Sequence, residues 1–464
     1  MPEFLIEANQ AVNAFVWGVP AMAAIIGVGL WLTIRTRFVQ FGRFGTAMRQ
    51  TAGKVFARQD AGHGSISPFH AVCTALAGTV GTGNIAGVAG AIALGGPGAI
   101  FWMWVAAVLG MATKFAEVTL AVRYRERSPN GEWIGGPMYT IKNALGSRWA
   151  WLAYVYAVFG MLAGFGIGST TQVNTVCSAI DSVAVVVADC GSSGVARLNW
   201  GLGILIAGLV AAVLLGGIKR LGKVAGSMVP LMALLYLILS AGVLVVRADA
   251  IPGAFAAVFE GAFAPKAVTG GVIGSVFLCL QKGVSRGIFS NEAGLGTGSI
   301  AHACADTDDP VAQGYFGIFE VFMDTIVICT LTAFVILVSG LQINFGAAAG
   351  ADLTIGGFVS VYGKWVTPVT AVAICTFAIT TTLGWGLYGS RCTEFVFGHR
   401  AVRPFLVVYA LSSVLGATVD LGLIWDAADT LNGLMAVPNL IALALLSGKL
   451  VEICRERKAD GRRA

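Results

Sequence analysis

The sequence predicts an all-α integral membrane protein with about eleven transmembrane helices. Of its 464 residues, 56% are hydrophobic and only 12% are charged, whereas a soluble domain carries about 25% charged residues. The apolar residues form continuous runs of about 20 residues, the length that an α-helix needs to cross a bilayer. A transmembrane β-barrel would instead show short segments that alternate between apolar and polar residues.

The predicted spans follow one another along the whole chain, and no segment has the composition of a separate soluble domain. We place the spans at about 11–33, 68–93, 98–122, 149–180, 199–217, 224–246, 268–298, 315–341, 366–397, 403–419 and 423–448. Residues 1–464 are therefore expected to form one transmembrane domain.

Basic residues are concentrated in the loops on one side of the predicted spans. They lie at 35–58, 123–148, 219–223 and 400–403 and after residue 448, and the opposite loops hold few. The positive-inside rule places the basic loops in the cytoplasm. We expect the protein to lie in the cell (inner) membrane. An odd number of spans then puts the N-terminus outside and the C-terminus inside. The net charge of +6 thus reflects topology, and we expect no nucleic-acid partner.

The second predicted span contains the run Gly81-Thr82-Gly83-Asn84. Glycine is a poor helix former, and asparagine places a polar side chain within the membrane. A helix broken here would free carbonyls that suit a cation and N–H groups that suit a carboxylate, because lipid can satisfy neither. The alternative is that the glycines only allow close helix packing. The asparagine favours a broken helix that binds a zwitterion.

The seventh predicted span carries Lys282, Arg286 and Glu292. A charge at mid-bilayer costs at least about 2.5–3.5 kcal/mol, so these side chains are expected to face the protein interior. We expect them to pair with one another or with Glu117 and Glu394, as structural or gating pairs rather than as solute ligands.

Other residues of the predicted spans are weaker candidates. Gly283 and Gly287 are expected to be hinges of the seventh span. The sequence does not choose among the remaining buried acids, which are Glu320, Asp324, Asp426 and Asp429.

The ninth and fourth predicted spans offer polar groups for a cation and a solute. Hydroxyls of the run Thr380-Thr381-Thr382 suit a hard cation such as Na⁺, or they bond to the carbonyls of their own helix. Gly168 and Gln172 share a helix face. The Gln172 amide could bind a carboxylate or another helix, and both alternatives stay open.

Enzyme motifs are missing from the sequence. No H-E-x-x-H, G-x-S-x-G or Walker A pattern occurs. We therefore expect neither catalysis nor a cluster of metal ligands.

Four motifs resemble the alanine/glycine:cation symporters, the sodium:alanine symporter family. They are 81–88 (GTGNIAGV), 95–98 (GGPG), 135–139 (GGPMY) and 282–296 (KGVSRGIFSNEAGLG). The resemblance covers nearly the whole chain and implies the fold of the bacterial leucine transporter, an inverted repeat of five plus five helices. The repeats would be 68–246 and 268–448, each beginning with an interrupted helix. Residues 1–67 would form an extra N-terminal helix and a basic loop.

The resemblance also implies a site. The carbonyls of Ala77 and Val80 and the hydroxyls of Thr381 and Thr382 would bind Na⁺. The residues expected to contact the solute are Thr82, Gly83, Asn84, Gly168, Gln172, Phe277 and Trp385.

The expected function is secondary active symport, in which Na⁺ entry drives uptake of alanine or glycine by alternating access. Na⁺ would be a co-transported ion, and the partners would be a small amino acid and membrane lipid. The alternatives are H⁺ coupling or another small solute on the same fold, and a passive channel.

Overall fold

The computed structural model describes residues 3–52, 66–188, 192–419 and 422–459, and these are almost entirely helical. The α-helices are α1 (Glu3–Val16), α2 (Val19–Arg35), α3 (Val39–Gly42), α4 (Phe44–Ala52), α5 (Pro68–Thr79), α6 (Ala86–Gly95), α7 (Ala99–Arg123), α8 (Pro137–Thr140), α9 (Ala150–Ala163), α10 (Thr171–Ala188), α11 (Ser192–Leu214), α12 (Gly217–Val246), α13 (Ile251–Phe263), α14 (Pro265–Val268), α15 (Val276–Asn291), α16 (Thr297–Ala303), α17 (Pro310–Val321), α18 (Thr330–Val338), α19 (Ala351–Tyr362), α20 (Thr367–Phe397), α21 (Val402–Thr418) and α22 (Gly422–Ala459).

Shorter elements join or interrupt these helices. Single 3₁₀ turns lie at Thr82–Asn84, Ser147–Trp149, Ala248–Ala250, Lys364–Val366 and His399–Ala401. Wider π-helical turns lie at Ile141–Leu145, Gly164–Thr170 and Phe322–Cys329. Strands β1 (Glu126–Arg127) and β2 (Trp133–Ile134) form an antiparallel hairpin in which Glu126 lies opposite Ile134.

Within the described residues, nine helical segments are long and apolar enough to cross a bilayer, or ten if the bent pair α5–α6 is one span. The predicted seventh span, 268–298, corresponds to α15 and α16, which have 16 and 7 residues. The chain breaks between them at 292–296, so neither helix alone is long enough. The count of eleven spans therefore stays a prediction.

Caps fix where the helices that shape the centre begin. The Ser67 hydroxyl accepts the His70 N–H (3.2 Å) ahead of α5, and Asp309 accepts the Ala312 N–H (2.9 Å) ahead of α17. In both cases proline occupies the first helical position, where its missing N–H has no cost. Residues that are neighbours in the chain therefore set both helix starts.

Burial separates the central helices from those that face lipid. In the most apolar 18-residue stretch of α7, 83% of the residues are buried inside the protein. In the corresponding stretch of α12, only 28% of the residues are buried. The exposed side chains of α12 include Leu231, Leu234 and Ile238, as expected for a lipid-facing surface. The centre is built from α5, α7, α15, α17 and α20.

Gly283 and Gly287, the predicted hinges, show no break in this structure. Both lie inside the continuous helix α15, and a Cβ atom on either would press on α7, against Trp102 Cβ (2.9 Å) or Met103 Cγ (3.2 Å). They are packing glycines, and the break in this segment begins at Glu292, which adopts a left-handed conformation (φ 54°).

Candidate functional site

The first break lies between α5 and α6, where the sequence predicts it. The two helices are bent by 58°, and the chain passes through Val80, Gly81 and the 3₁₀ turn Thr82–Asn84. The Gly81 N–H donates to the Asn84 side chain (Oδ1, 2.8 Å). In a continuous helix, the Gly81 N–H would donate to the Ala77 carbonyl. Carbonyl groups at the end of α5 therefore receive no hydrogen bond from their own helix.

Asn84 is a structural residue of the break, since its side chain is fully engaged within the protein. Its Oδ1 accepts the Gly81 N–H, and its Nδ2 donates to Asp324 Oδ1 (2.6 Å) and to the Asp324 carbonyl (3.1 Å). Asn84 is completely buried. The structure thus gives this amide protein partners on both sides, and through them it shapes the segment that carries Thr82 and Gly83; its predicted contact with the solute stays a prediction.

The second break lies between α15 and α16, at 292–296. The Gly294 N–H donates to Glu117 (Oε1, 2.9 Å), and the Asn439 amide donates to the Gly294 carbonyl (2.9 Å) and to Glu117 (2.7 Å). The Tyr156 hydroxyl donates to the Leu295 carbonyl (3.0 Å). Side chains of other helices therefore satisfy this irregular backbone, as a lipid environment requires.

Asp324 connects the two broken segments. Its Oδ1 accepts from Asn84 next to the first break, and its Oδ2 accepts from Ser290 (2.8 Å) near the end of α15 and from Thr325 (2.7 Å). The residue is completely buried and lies in the π-helical segment Phe322–Cys329, an irregularity that often marks functional positions. The sequence had named Asp324 only as one acid among several.

A cavity of about 580 Å³ opens beside the first break. Its walls are Thr82 with part of α6, polar residues of α10 such as Asn174 and Ser178, Arg286 and Phe289 of α15, and the segment 348–352. The Thr82 hydroxyl oxygen is buried and, among the described residues, has no hydrogen-bond partner. A buried hydroxyl without a partner on a cavity wall is free to bind a polar ligand.

Gln172 lies opposite Thr82, as predicted, but it belongs partly to its own helix. Its Oε1 is 3.5 Å from the Thr82 nitrogen, and its Nε2 donates to the Ile167 carbonyl (3.0 Å). The Ile167 carbonyl lies in the π-helical segment Gly164–Thr170 that precedes Gln172. The amide thus lies between its own helix and the broken segment.

Phe277 is not at this cavity, and Phe289 takes the place predicted for it. Phe277 begins α15 and is 44% exposed, whereas Phe289 lies about 18 Å further along the helix. The Phe289 ring is 3.1 Å from where a Cβ on Gly83 would be. The sequence analysis assigned no position to the break in this segment. The break lies at 292–296 and brings Phe289 rather than Phe277 close to Gly83.

Gly168 and Trp385 do not line the cavity either, because they pack on each other. A Cβ on Gly168 would lie 2.9 Å from Trp385 Cγ and 3.0 Å from the Tyr409 hydroxyl. Trp385 is only 1% exposed and its ring contacts Tyr388 at a centroid distance of 5.7 Å. Gly168 therefore allows the π-helical segment to approach α20, and it leaves no extra space for a solute.

Gly168→Val is consequently expected to impair every solute equally rather than to select for the smallest one. The added side chain must displace Trp385 and Tyr409, and overpacking of this kind costs about 1–3 kcal/mol or more. We expect a lower thermal unfolding temperature in detergent and a parallel loss of glycine and alanine binding. Selective loss of alanine binding with unchanged unfolding temperature would instead place Gly168 in the solute pocket.

Oxygen atoms of α5 and α20 meet on the other side of the break. The Thr381 hydroxyl donates to the Val80 carbonyl (3.3 Å). This approach needs glycine on both helices, since a Cβ on Gly384 would lie 2.6 Å from Gly78 Cα, and one on Gly81 would collide with Thr381. Within the described residues, no group of three His, Cys, Asp or Glu side chains could hold a metal. A cation here would rely on carbonyl and hydroxyl oxygens.

The neighbouring threonines bond within their own helix. The Thr382 hydroxyl donates to the Ala378 carbonyl (3.0 Å), and the Thr380 hydroxyl donates to the Thr376 and Phe377 carbonyls (both 2.9 Å). These two hydroxyls therefore bond to carbonyls of their own helix, which was one of the two alternatives. Thr381 instead contacts Val80 at the break.

The predicted pairing of Lys282 and Arg286 with Glu292 was wrong. The two cations lie on one face of α15, whereas Glu292 follows the end of that helix and accepts a hydrogen bond from Thr297 (Oε2, 2.5 Å). Arg286 lies over the Phe289 ring, 5.6 Å from its centroid. The left-handed turn at Glu292 directs its side chain away from the cations.

Glu117 and Glu394 also have other partners than predicted. Glu117 binds the second break, and Glu394 forms an ion pair with Arg391 (2.7 Å). Two other acids named from the sequence are Asp429 and Asp426. The main-chain carbonyl of Asp429 accepts a hydrogen bond from the Trp17 indole (3.1 Å), and the side chain of Asp426 lies outside the described residues.

The sequence analysis missed Lys114, which pairs with Glu320 (3.2 Å) in the interior, where both side chains have zero exposure. His302 contacts the other oxygen of Glu320 (3.0 Å) and is held in turn by Gln313 (2.8 Å). The signal was present, since Lys114 is a lysine in the middle of an apolar span, and such a residue is expected to have a buried partner.

Comparisons with known proteins agree with this architecture. Residues 2–462 match the model of the sodium:alanine symporter family. The chain is 42% identical to the sodium/alanine symporter AgcS of Methanococcus maripaludis, over 96% of both chains. It is 36% identical to the probable sodium/glutamine symporter GlnT of Bacillus subtilis, over 99% of this chain and 93% of that one.

A solved structure shows the same fold at low sequence identity. The transporter MhsT in complex with L-phenylalanine matches with a TM-score of 0.59 and 14% identity, covering 84% of this chain and 90% of that one. The predicted leucine-transporter-type fold is thereby confirmed. With a family match over nearly its full length, the chain belongs to the sodium:alanine symporter family, and it is a Na⁺-coupled amino-acid symporter rather than an enzyme.

Proposed function

We propose that this symporter takes up alanine and glycine with Na⁺, and that the solute binds at the first break, against Thr82 and Gly83. The observation that carries the proposal is the cavity wall at Thr82, whose buried hydroxyl has no partner among the described residues. The first turn of α6 begins at the same place, and its positive end favours a carboxylate.

We expect the space beside Thr82 to suit a small side chain. The main chain at Gly83 packs against α15, since Phe289 (3.1 Å) and Ser290 Cα (3.3 Å) already contact the place where a Cβ on Gly83 would be, and Phe289 also lines the cavity together with Thr82. A larger solute must push these groups aside, and overpacking costs about 1–3 kcal/mol, or roughly 5- to 150-fold in affinity. We therefore expect glycine and alanine to bind, serine to bind more weakly, and leucine to bind little.

A second candidate solute is glutamine. Asn174 and Ser178 give the cavity a polar wall beyond Thr82, and one relative carries the name of a probable sodium/glutamine symporter. A carboxamide could bond to that wall, whereas the side chains of alanine and glycine would not reach it.

An uptake assay in proteoliposomes separates these candidates. Labelled alanine is presented under an inward Na⁺ gradient, with unlabelled glycine, serine, glutamine and leucine as competitors. We expect strong competition by glycine and little by glutamine or leucine. Equal competition by glutamine would establish the second candidate, and equal competition by leucine would exclude the small pocket.

The same assay tests the coupling ion. Replacement of Na⁺ by choline is expected to abolish concentrative uptake. Persistent uptake driven by a pH gradient would indicate H⁺ coupling, and uptake that neither saturates nor responds to any ion gradient would indicate a passive channel.

For the cation, we propose a site between α5 and α20. Its ligands are the carbonyls of Ala77 and Val80 and the hydroxyls of Thr381 and Thr382. The contact of Thr381 with the Val80 carbonyl supports this site, as do the carbonyls left without helical partners at the end of α5. The Thr382 hydroxyl gives its proton to Ala378, so only its lone pairs could face a cation.

Thr381→Ala is expected to raise the half-saturating Na⁺ concentration at least tenfold, because it removes the oxygen nearest to the break. Thr382→Ala, at the second proposed hydroxyl ligand, is expected to have a smaller effect. Thr380→Ala is the matched control, because its hydroxyl bonds to the Thr376 and Phe377 carbonyls of its own helix, and we expect no change from it. All three values come from alanine uptake at graded Na⁺ concentrations. Equal half-saturation in Thr381→Ala and the wild type would remove this site.

We further propose that access alternates between two faces, with 68–246 and 268–448 as inverted repeats. Supporting this, each proposed repeat begins with a broken helix. On the side that carries the hairpin β1–β2, Arg125 donates to the Ala305 and Thr307 carbonyls (both 2.6 Å), just after the end of α16, and such contacts would have to break for this face to open. On the opposite side, Arg286 and Asp352 both line the cavity and could close over a solute.

The proposed orientation puts α13 outside and the hairpin in the cytoplasm. Phe255 of α13 contacts Trp104 near the start of α7 (6.5 Å between ring centroids), whereas the hairpin follows the end of this helix of 25 residues. A cysteine at position 255 is expected to react with an impermeant maleimide in intact cells, and one at position 130 only after permeabilisation. The reverse labelling pattern would invert the orientation.

A further inference from the structure

A large basic cleft lies apart from the solute site, at the ends of three helices. It has a volume of about 1100 Å³ and is formed by the end of α2 with the following turn, the start of α17 and the end of α22. Among the described residues, no acidic side chain lines it. Its basic residues are Arg35, Arg37, Arg43, Arg455, Arg457 and Lys458.

Few of these charges are neutralised by the protein. Within the described residues, only Arg457 of the six forms an ion pair, with Asp309 (2.8 Å). Arg35 lies over the Trp31 ring, 5.5 Å from its centroid. Because like charges gathered in one cleft repel one another, such an arrangement favours an anionic ligand.

The cleft also has an apolar side. Val39, Phe115 and Val311 lie within its lining. Ile34 lines it as well and is 53% exposed, and Phe38, in the turn beside it, is 52% exposed. Arg37 and Phe38 both adopt left-handed conformations (φ 56° and 57°), so a tight turn holds a cationic and an apolar side chain next to each other.

The position of the cleft matches the depth of lipid headgroups. Two membrane-spanning segments, Glu7–Arg35 and Ala427–Ala459, end at the cleft, and a third, Pro310–Val338, begins there. Charged residues that follow the end of an apolar span lie at the headgroup level. Guanidinium groups bind phosphate oxygens in pairs.

We propose that this cleft binds the headgroup of an anionic phospholipid, with phosphate held by the arginines of both walls and acyl chains resting on the exposed apolar side chains around Phe38. A lipid with two phosphates fits the volume and the number of charges best. The bound lipid would connect the N-terminal segment to α22.

Native mass spectrometry of the purified full-length protein tests this proposal. The protein in neutral detergent is titrated with cardiolipin, phosphatidylglycerol or phosphatidylcholine. We expect cardiolipin to bind at least tenfold more tightly than phosphatidylcholine. In the triple variant Arg35→Ala, Arg37→Ala, Arg43→Ala, cardiolipin affinity should fall at least tenfold.

A matched variant controls for general charge effects. Lys219→Ala, Arg220→Ala, Lys223→Ala removes the same charge from residues that do not line the cleft, and its affinity should stay within twofold of the wild type. An equal loss in both triple variants, or no loss in the cleft variant, would overturn the proposal.

Two further measurements keep the test decisive. If the cleft triple variant does not fold, Arg455→Glu with Lys458→Glu, both on exposed positions of α22, should give the same tenfold loss, and unchanged binding would refute the site. Millimolar inorganic phosphate should leave cardiolipin bound. Full displacement by phosphate would make the cleft a free-anion site and not a lipid site.

Discussion

Lys114→Met is expected to lower the free energy of unfolding by about 3–5 kcal/mol, because it leaves the buried Glu320 carboxylate without its lysine partner. The two side chains have zero exposure, so water cannot take over the role of Lys114. His302, itself held by Gln313, remains as a partner of the carboxylate. The ion pair also holds three helices together, since Gly298 of α16 lies against both charged groups.

Chemical denaturation in mixed micelles measures this change. The double variant Lys114→Met, Glu320→Gln is expected to recover much of the lost stability, because it removes the isolated charge. Lys449→Met is the matched control: its ion pair with Glu452 is exposed, and we expect no measurable change from it. A Lys114→Met protein as stable as the wild type would show that the buried pair contributes nothing.

Asp324→Ala is expected to lower amino-acid uptake at least about a hundredfold. The substitution removes the carboxylate acceptor of Ser290 and Thr325 and leaves Asn84 only the main-chain carbonyl of residue 324, and each unsatisfied buried group costs about 1–3 kcal/mol. Because Asn84 shapes the first break and Ser290 packs on Gly83, the loss should appear at the solute pocket as well as in stability.

The conservative variant decides what the carboxylate does. In Asp324→Asn, the amide oxygen can accept from Asn84 and the amide nitrogen can donate to Ser290, so a positioning role predicts uptake within about tenfold of the wild type. A loss as large as in Asp324→Ala would show that the negative charge itself is needed. Ser413→Ala, which removes a buried hydroxyl bonded to Ser169 (3.3 Å), controls for general loss of a buried hydrogen bond.

Several features of the site could be predicted because they depend on neighbouring residues. Gly81, Gly83 and Asn84 indicate a broken helix through their own poor helix propensity, and the structure has the break there. Thr381 was selected as a hydroxyl in an apolar span, and it does contact Val80. The solute contacts of Thr82 and Gly83 stay predictions that uptake assays must test.

Other features could not be predicted because they depend on where distant helices meet. Phe277 and Phe289 lie in one helix, and only the position of the break at Glu292 shows which of them approaches Gly83. Gly168 and Trp385 looked like pocket residues, but they are in contact with each other. A helical pattern gives the face of a residue and not the helix that will cover that face.

The sequence by itself thus determined the class of protein, the approximate spans and the first broken segment, since apolar run length, glycine and asparagine act locally. Only the tertiary structure decided which polar groups lie together: Asn84 with Asp324, Lys114 with Glu320, and the basic residues of α2 with those of α22. The physical reason is that a membrane-spanning helix must satisfy its buried polar groups within the protein. Which partner does so depends on helix packing over hundreds of residues of chain.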